Sequence, residues 1–115
     1  MRNLISTGDP YQDRLNRQYW EAVDKYLTKD QSDEMRMMRF GSDLLAEMTE
    51  YTPKKLEKMG EEKTLFDLLK SYNQRMQETF MQCLDQGMDE DQAMEFVREI
   101  KYEVTDSDLG ETNEE

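Results

Sequence analysis

The chain has 115 residues, 37% of them charged and 36% hydrophobic, and a net charge of −12. That length fits one domain, and no apolar run approaches the roughly 20 residues a membrane span needs. The absence of histidine removes the commonest general base and imidazole metal ligand, the lone cysteine excludes an internal disulfide framework, and the five glycines form no phosphate-cradling loop, so composition points away from catalysis.

Residues 1–8 read as a short N-terminal extension, too brief and polar for a secretory signal. Asp9-Pro10-Tyr11-Gln12 then opens a first helix, with Asp9 as cap, Pro10 at the first helical position and Gln12 completing a capping box. The helix is expected to run to about Leu27, with Tyr11, Leu15, Tyr19, Ala22, Val23, Tyr26 and Leu27 on one face and Trp20 at its edge. A second helix is expected from the Asp30–Asp33 region to about Tyr51. Met37, Met38, Phe40, Gly41, Leu44, Leu45, Met48 and Tyr51 line one side of it, and Arg36, Arg39, Asp43 and Glu47 the other. A glycine inside a helix costs about 1 kcal/mol against alanine, so Gly41 implies close approach of a neighbouring helix.

Thr52-Pro53 repeats the cap-plus-proline signal and predicts a short helix over Lys54 to Met59, ended by Gly60. The longest element follows, from Glu61 or Thr64 to Gln86. Its apolar face of Leu65, Leu68, Leu69, Tyr72, Met76, Phe80 and Cys83, widened by Phe66 and Leu84, suits a central helix touching two neighbours. After Gly87, Met88 and Ala93 form a hydrophobic staple around an Asp89–Gln92 capping box. The last helix is expected to reach Val104 and to bury Ala93, Phe96, Val97, Ile100 and Val104. With no strand-period alternation, the reading is an all-α fold: one helical domain over 9–104, a compact bundle of four main helices plus one short helix. A flexible acidic C-terminal tail is expected over 105–115.

Charge is polarised along the chain. Residues 89–115 hold eleven carboxylates against Arg98 and Lys101, for a net −9, whereas residues 1–88 carry only −3. On the last helix Glu95, Glu99 and Glu103 stack at four-residue steps, about 6 Å apart at 1.5 Å rise per residue. Like charges so placed oppose the helix, and Asp106 and Asp108 extend the acidic surface into the tail. Two readings follow: a solvated face that keeps a small protein soluble, or a surface that docks on a basic groove of another protein. Asp106, Asp108 and Glu111 resemble part of a calcium loop, but Gly110 falls at the fifth position rather than the sixth and the chain stops at the tenth. No metal or cofactor is expected.

Ten methionines suit irregular core gaps. Met35 is read as the exception, projecting away from the apolar stripe, as Met81 and Met94 depart from theirs, and with Trp20 as part of an exposed interaction patch. Cys83 lies on the apolar face of the long helix and reads as core. At a sequence pI of 4.4 direct contact with nucleic-acid phosphates is repulsive. The sequence therefore implies a cytoplasmic, non-enzymatic protein that binds a basic protein surface, with Glu95, Glu99, Glu103, Asp106, Asp108, Trp20 and Met35 as candidate contacts. Its sharpest form is an inhibitor or regulator, of a bacterial or phage kind, that occupies a basic surface of a nucleic-acid-handling protein. The competing class is a homo-oligomeric structural or assembly adaptor that self-associates through Trp20 and the off-stripe methionines.

Overall fold

The computed structural model describes residues 7–105, which form six helices and, among those residues, no strand. In chain order they are α1 (Pro10–Tyr26), α2 (Lys29–Arg36), α3 (Arg39–Tyr51), α4 (Pro53–Glu61), α5 (Leu65–Asp85) and α6 (Glu90–Thr105). The helical class matches the sequence pattern, but there are six helices rather than four main ones and a short one. The tail residues 106–115, including Asp106 and Asp108, lie outside the described residues.

The extra helix comes from a break in the second expected element. Thr28 and Gln31 form a reciprocal capping box that starts α2 earlier than expected. The chain then leaves helical geometry at Met38, whose φ and ψ of −101° and 95° are extended, before α3 begins. Five helical residues turn the chain by about 140° beyond a full turn, so an unbroken helix would put Met35 well away from the Phe40 face. The break lets both residues point inward. Met35 is 1% exposed and Met37 86% exposed, so the sequence reading of these two methionines is reversed. Met35 belongs to the core and is unavailable to a surface patch.

α3 has no side-chain cap of its own. Its first amides are met instead from α5, where the Asn73 side-chain oxygen accepts hydrogen bonds from the Phe40 and Gly41 N–H groups, each at 3.0 Å. The close approach implied by Gly41 is present, because a Cβ there would sit 3.4 Å from both the Asn73 Cβ and the Leu69 carbonyl oxygen. Leu44, Leu45 and Met48 of α3 are fully buried, and this helix packs against all five others. The long α5 does touch two main neighbours, α6 and α3, as its broad stripe implied, but the hub is α3. Helix length did not decide the matter; α3 carries six buried positions in 13 residues.

Three local expectations also change. Gln12 bonds Asn16 rather than closing a box, and the Asp9 amide donates to the Thr7 hydroxyl at 3.2 Å while Asp9 itself caps Tyr11. Gly60 does not end the short helix but lies within α4, where a Cβ would fall 2.3 Å from Cγ of the Tyr26 ring. Tyr26 of α1 thus rests on a bare stretch of α4 backbone. Phe96, expected in the core, is 44% exposed beside buried Ala93, Val97, Ile100 and Val104. The Asp89–Gln92 box forms as read, with bonds of 2.8 and 3.1 Å, and Cys83 is buried.

Candidate functional site, an acidic and aromatic cleft

α1 and α3 pack side by side, but their outer margins leave a cleft of about 580 Å³. Such a volume lies within the roughly 300–1,000 Å³ range of ligand-sized sites. Leu15, Tyr19 and Trp20 line it from α1, and Asp43, Ala46, Glu47 and Glu50 from α3. The helix period places each group. Asp43, Glu47 and Glu50 follow one another at steps of four and three residues, so three carboxylates stand along one side of α3. Tyr19 and Trp20 are half-buried and meet edge to face, with ring centroids 4.9 Å apart and planes at 89°. An aromatic wall therefore faces an acidic one.

Lys101 of α6 also lines this cleft. Its ammonium lies 3.4 Å from Glu47, and its side chain is only 11% exposed against 29% for Glu47. Glu50 accepts a hydrogen bond from the Tyr11 hydroxyl at 3.1 Å. Burial, followed by that bond and the Glu50 charge, raises the Tyr11 phenol above its ordinary value of 10.0. Tyr51 is raised as well, first by the charge of Glu50. Asp43 is exposed, and its carboxylate makes no hydrogen bond or ion pair with any described residue. Of the three carboxylates, Glu47 is thus neutralised and Glu50 is shared with a phenol, while Asp43 faces solvent.

A second cleft of about 430 Å³ opens beyond Glu47 and is lined by Glu47, Tyr51, Tyr102 and Thr105. Tyr11, Tyr51 and Tyr102 are 46%, 46% and 50% exposed, so one face of α1, α3 and α6 presents aromatic rings among carboxylates. Tyrosine and tryptophan are the residues on which binding energy concentrates at interfaces. The end of α6 is tied to this face. Lys55 of α4 donates to the Val104 carbonyl at 3.0 Å, satisfying a C-terminal acceptor of α6 with a positive charge.

The acidic ridge foreseen on α6 is placed differently. Glu95 and Glu99 are exposed, but Glu103 is held by a two-pronged pair with Arg75 of α5 at 2.9 and 2.6 Å. That contact raises the Arg75 pKa, chiefly through the hydrogen bonds that its guanidinium donates to Glu103. The ridge is therefore partly committed to helix pairing. Trp20 lies in the cleft rather than on the ridge, and the structure does not bring Met35 to either. Sequence reading placed Asp43 and Glu47 on the polar side of their helix but did not connect them with Trp20. The signal was their common period, and the missing step was the adjacency of α1 and α3.

Among the described residues no group of three Cys, Asp or Glu side chains is arranged to hold a metal, and no helix is long and apolar enough to cross a membrane. Comparison with protein-family models, curated proteins and solved structures finds no match.

Proposed function

We propose that this protein is a non-catalytic binding protein whose α1–α3 face docks on a basic surface of another protein. The observation that carries this reading is the cleft itself, with Trp20 and Tyr19 on one wall and Asp43, Glu47 and Glu50 on the other. Aromatic rings supply area with little conformational entropy to lose, and carboxylates select a positive partner and speed its approach. The net charge of −12 adds long-range steering toward the same kind of surface. In this reading Glu95 and Glu99 of α6 contribute to encounter rate, and the cleft contributes affinity. An inhibitor that covers a basic nucleic-acid-binding surface is the sharpest form of the proposal.

Trp20 is the only tryptophan in the chain, which makes its fluorescence a local reporter. The test is a titration with poly-lysine at low and high salt, following Trp20 emission and stoichiometry. The expected result is a saturable shift in emission that weakens with salt, and that is lost in the triple variant Asp43→Asn, Glu47→Gln, Glu50→Gln. A charge-matched variant, Glu95→Gln, Glu99→Gln, Glu103→Gln, should keep the shift. Binding that leaves Trp20 emission unchanged, or that weakens equally in both variants, overturns the placement of the site. Sedimentation at rising concentration reads the competing outcome, in which the same face pairs with a second copy.

A further inference from the structure

The link between α1 and α2, the turn after α4 and the start of α5 border a separate cleft of about 320 Å³. We infer that it binds a small phosphate monoester, with the phosphate between Lys25 and Lys63 and the organic part against Tyr26 and Phe66. Both lysines line the cleft, and among the described residues no carboxylate does, although the chain carries −12 overall. The α1–α3 cleft and the cleft beyond Glu47 each carry carboxylates. This one shares no residue with either and is independent of the reading built on them.

Its polar lining is rich in donors. The Thr28 hydroxyl oxygen accepts from the Gln31 amide at 3.1 Å, and the Gln31 side-chain oxygen accepts from the Thr28 amide at 3.0 Å. Those bonds occupy an acceptor on each side chain and leave the Thr28 O–H and the Gln31 Nε2 hydrogens to donate. With two ammonium groups beside them, the cleft suits a dianion. The first turns of α2 and α5 border it as well, and helix starts favour negative charge. Tyr26 and Phe66 are half-buried and supply apolar walls, with the Lys25 ammonium 5.2 Å from the Tyr26 ring centroid.

Lys63 adds an independent observation. It is the one non-glycine with positive φ among the described residues, at 63°. Its amide donates to the Gly60 carbonyl at 3.2 Å, and the Thr64 amide to the Met59 carbonyl at 3.0 Å, so Lys63 closes a Schellman motif at the end of α4. Glycine is the usual residue there, because left-handed backbone strains any residue with a Cβ. A lysine held at that cost beside a basic cleft fits a side chain kept for what it binds. The plainer account is that Lys25 and Lys63 only complement the carboxyl ends of α1 and α4.

Phenyl phosphate is the probe that separates the two accounts, titrated into the full chain by calorimetry and by amide NMR shifts. Inorganic phosphate, which lacks the ring, and phenylacetate, a monoanion that keeps it, are titrated beside it. The inference expects phenyl phosphate to bind with amide shifts centred on residues 25–31 and 60–66. Each of the other two should bind about tenfold more weakly, one for want of apolar burial and the other for want of the second charge. Lys25→Gln should weaken phenyl phosphate by about tenfold, the loss of one charge-assisted contact. Lys63→Gly should weaken it as much without lowering the urea midpoint, since glycine relieves the strained backbone. Lys29→Gln removes the same charge from an exposed position outside the lining and should leave affinity nearly unchanged. Absence of shifts at these residues with millimolar phenyl phosphate, or equal weakening in Lys29→Gln and Lys63→Gly, overturns the site. Equal affinity for all three probes overturns the phosphate monoester. A lower urea midpoint in Lys63→Gly with unchanged affinity leaves only the plainer account.

Discussion

α5 with α6 and α1 with α3 are both pairs of neighbouring helices, yet the first pair is closed along its length and the second is open at its margin. Among the described residues α5 and α6 form the most extensively packed pair, and Met76, Phe80 and Cys83 of α5 share one buried core with Ala93, Val97 and Ile100 of α6. Their exposed edge is joined by Arg75 and Glu103. α1 meets α3 less closely, and Trp20 and Tyr19 stay half-buried over a cleft bordered by carboxylates. The contrast teaches that negative charge and recognition need not coincide. Residues 89–115 hold most of the net charge, and both acidic rows spend carboxylates within the fold, Glu103 on Arg75 from the α6 ridge and Glu47 and Glu50 on Lys101 and Tyr11 from α3, but only the α3 row borders a cleft with an aromatic wall.

The comparison breaks most visibly in stability. Leu69→Ala, at a fully buried position of α5, should cost about 2–5 kcal/mol, read by urea unfolding, whereas Trp20→Leu should cost far less and act on binding. A Leu69→Ala cost below that of Trp20→Leu would reverse the roles assigned to the two regions. Gly60→Ala comes next, because the new Cβ must displace the Tyr26 ring that holds α1 on α4; about 1–3 kcal/mol is expected for such overpacking. Since α1 carries the aromatic wall, poly-lysine affinity should fall with it, and unchanged affinity would show that the wall is positioned independently of α4.

Asn73→Ala removes the side-chain acceptor that meets the Phe40 and Gly41 N–H groups at the start of α3 and should cost about 1 kcal/mol in denaturant unfolding, as a lost helix cap does. Glu103→Gln sits lower still. The side chains of Arg75 and Glu103 are 52% and 45% exposed, so breaking their pair should change stability by less than about 1 kcal/mol and should leave binding at the cleft intact. The smallest effect is a pH dependence. Tyr11 and Tyr51 are raised above 10.0 in the folded chain, by burial and by Glu50 respectively, so their phenols keep their protons longer when folded. The stabilisation is complete below pH 10.0 and is lost as pH climbs through the raised values. Ultraviolet titration of phenolate should show these two tyrosines lagging the others, and Glu50→Gln should advance both.

How much of this was legible depended on whether the signal was local. The Asp89–Gln92 box, the cap and proline at Asp9 and Pro10, and, Phe96 apart, the apolar period of α5 and α6 are set by residues within a turn or two of one another, and they formed as read. The break at Met38 was not read because Met37, Phe40, Leu44 and Leu45 share one helical phase and hide the different phase of Ser32 and Met35. Only the presence of other helices decides which phase is buried, and both are, once the chain kinks between them. Gly60 shows the same limit. A glycine at the end of a short apolar pattern reads as a stop, but its reason is the Tyr26 ring from another helix.

The candidate site was half legible. Trp20 stood out as an edge residue, and Asp43 and Glu47 were assigned to a polar face, but the cleft exists only where α1 lies beside α3. Acidity at the end of the chain was the louder signal because charge is counted along the sequence, and the cleft is built across it. Glu103 illustrates the difference: its ridge neighbours are four residues apart, while its actual partner, Arg75, is 28 positions away.

Paired neutralisation of the two acidic regions tests the central claim most directly. The Asp43→Asn, Glu47→Gln, Glu50→Gln variant and the Glu95→Gln, Glu99→Gln, Glu103→Gln variant lose equal charge, and calorimetric titration of each with poly-lysine at fixed salt compares them. Loss of binding in the first with near-native affinity in the second is the predicted result. Loss in the second with binding retained in the first would place recognition on α6 and contradict the account.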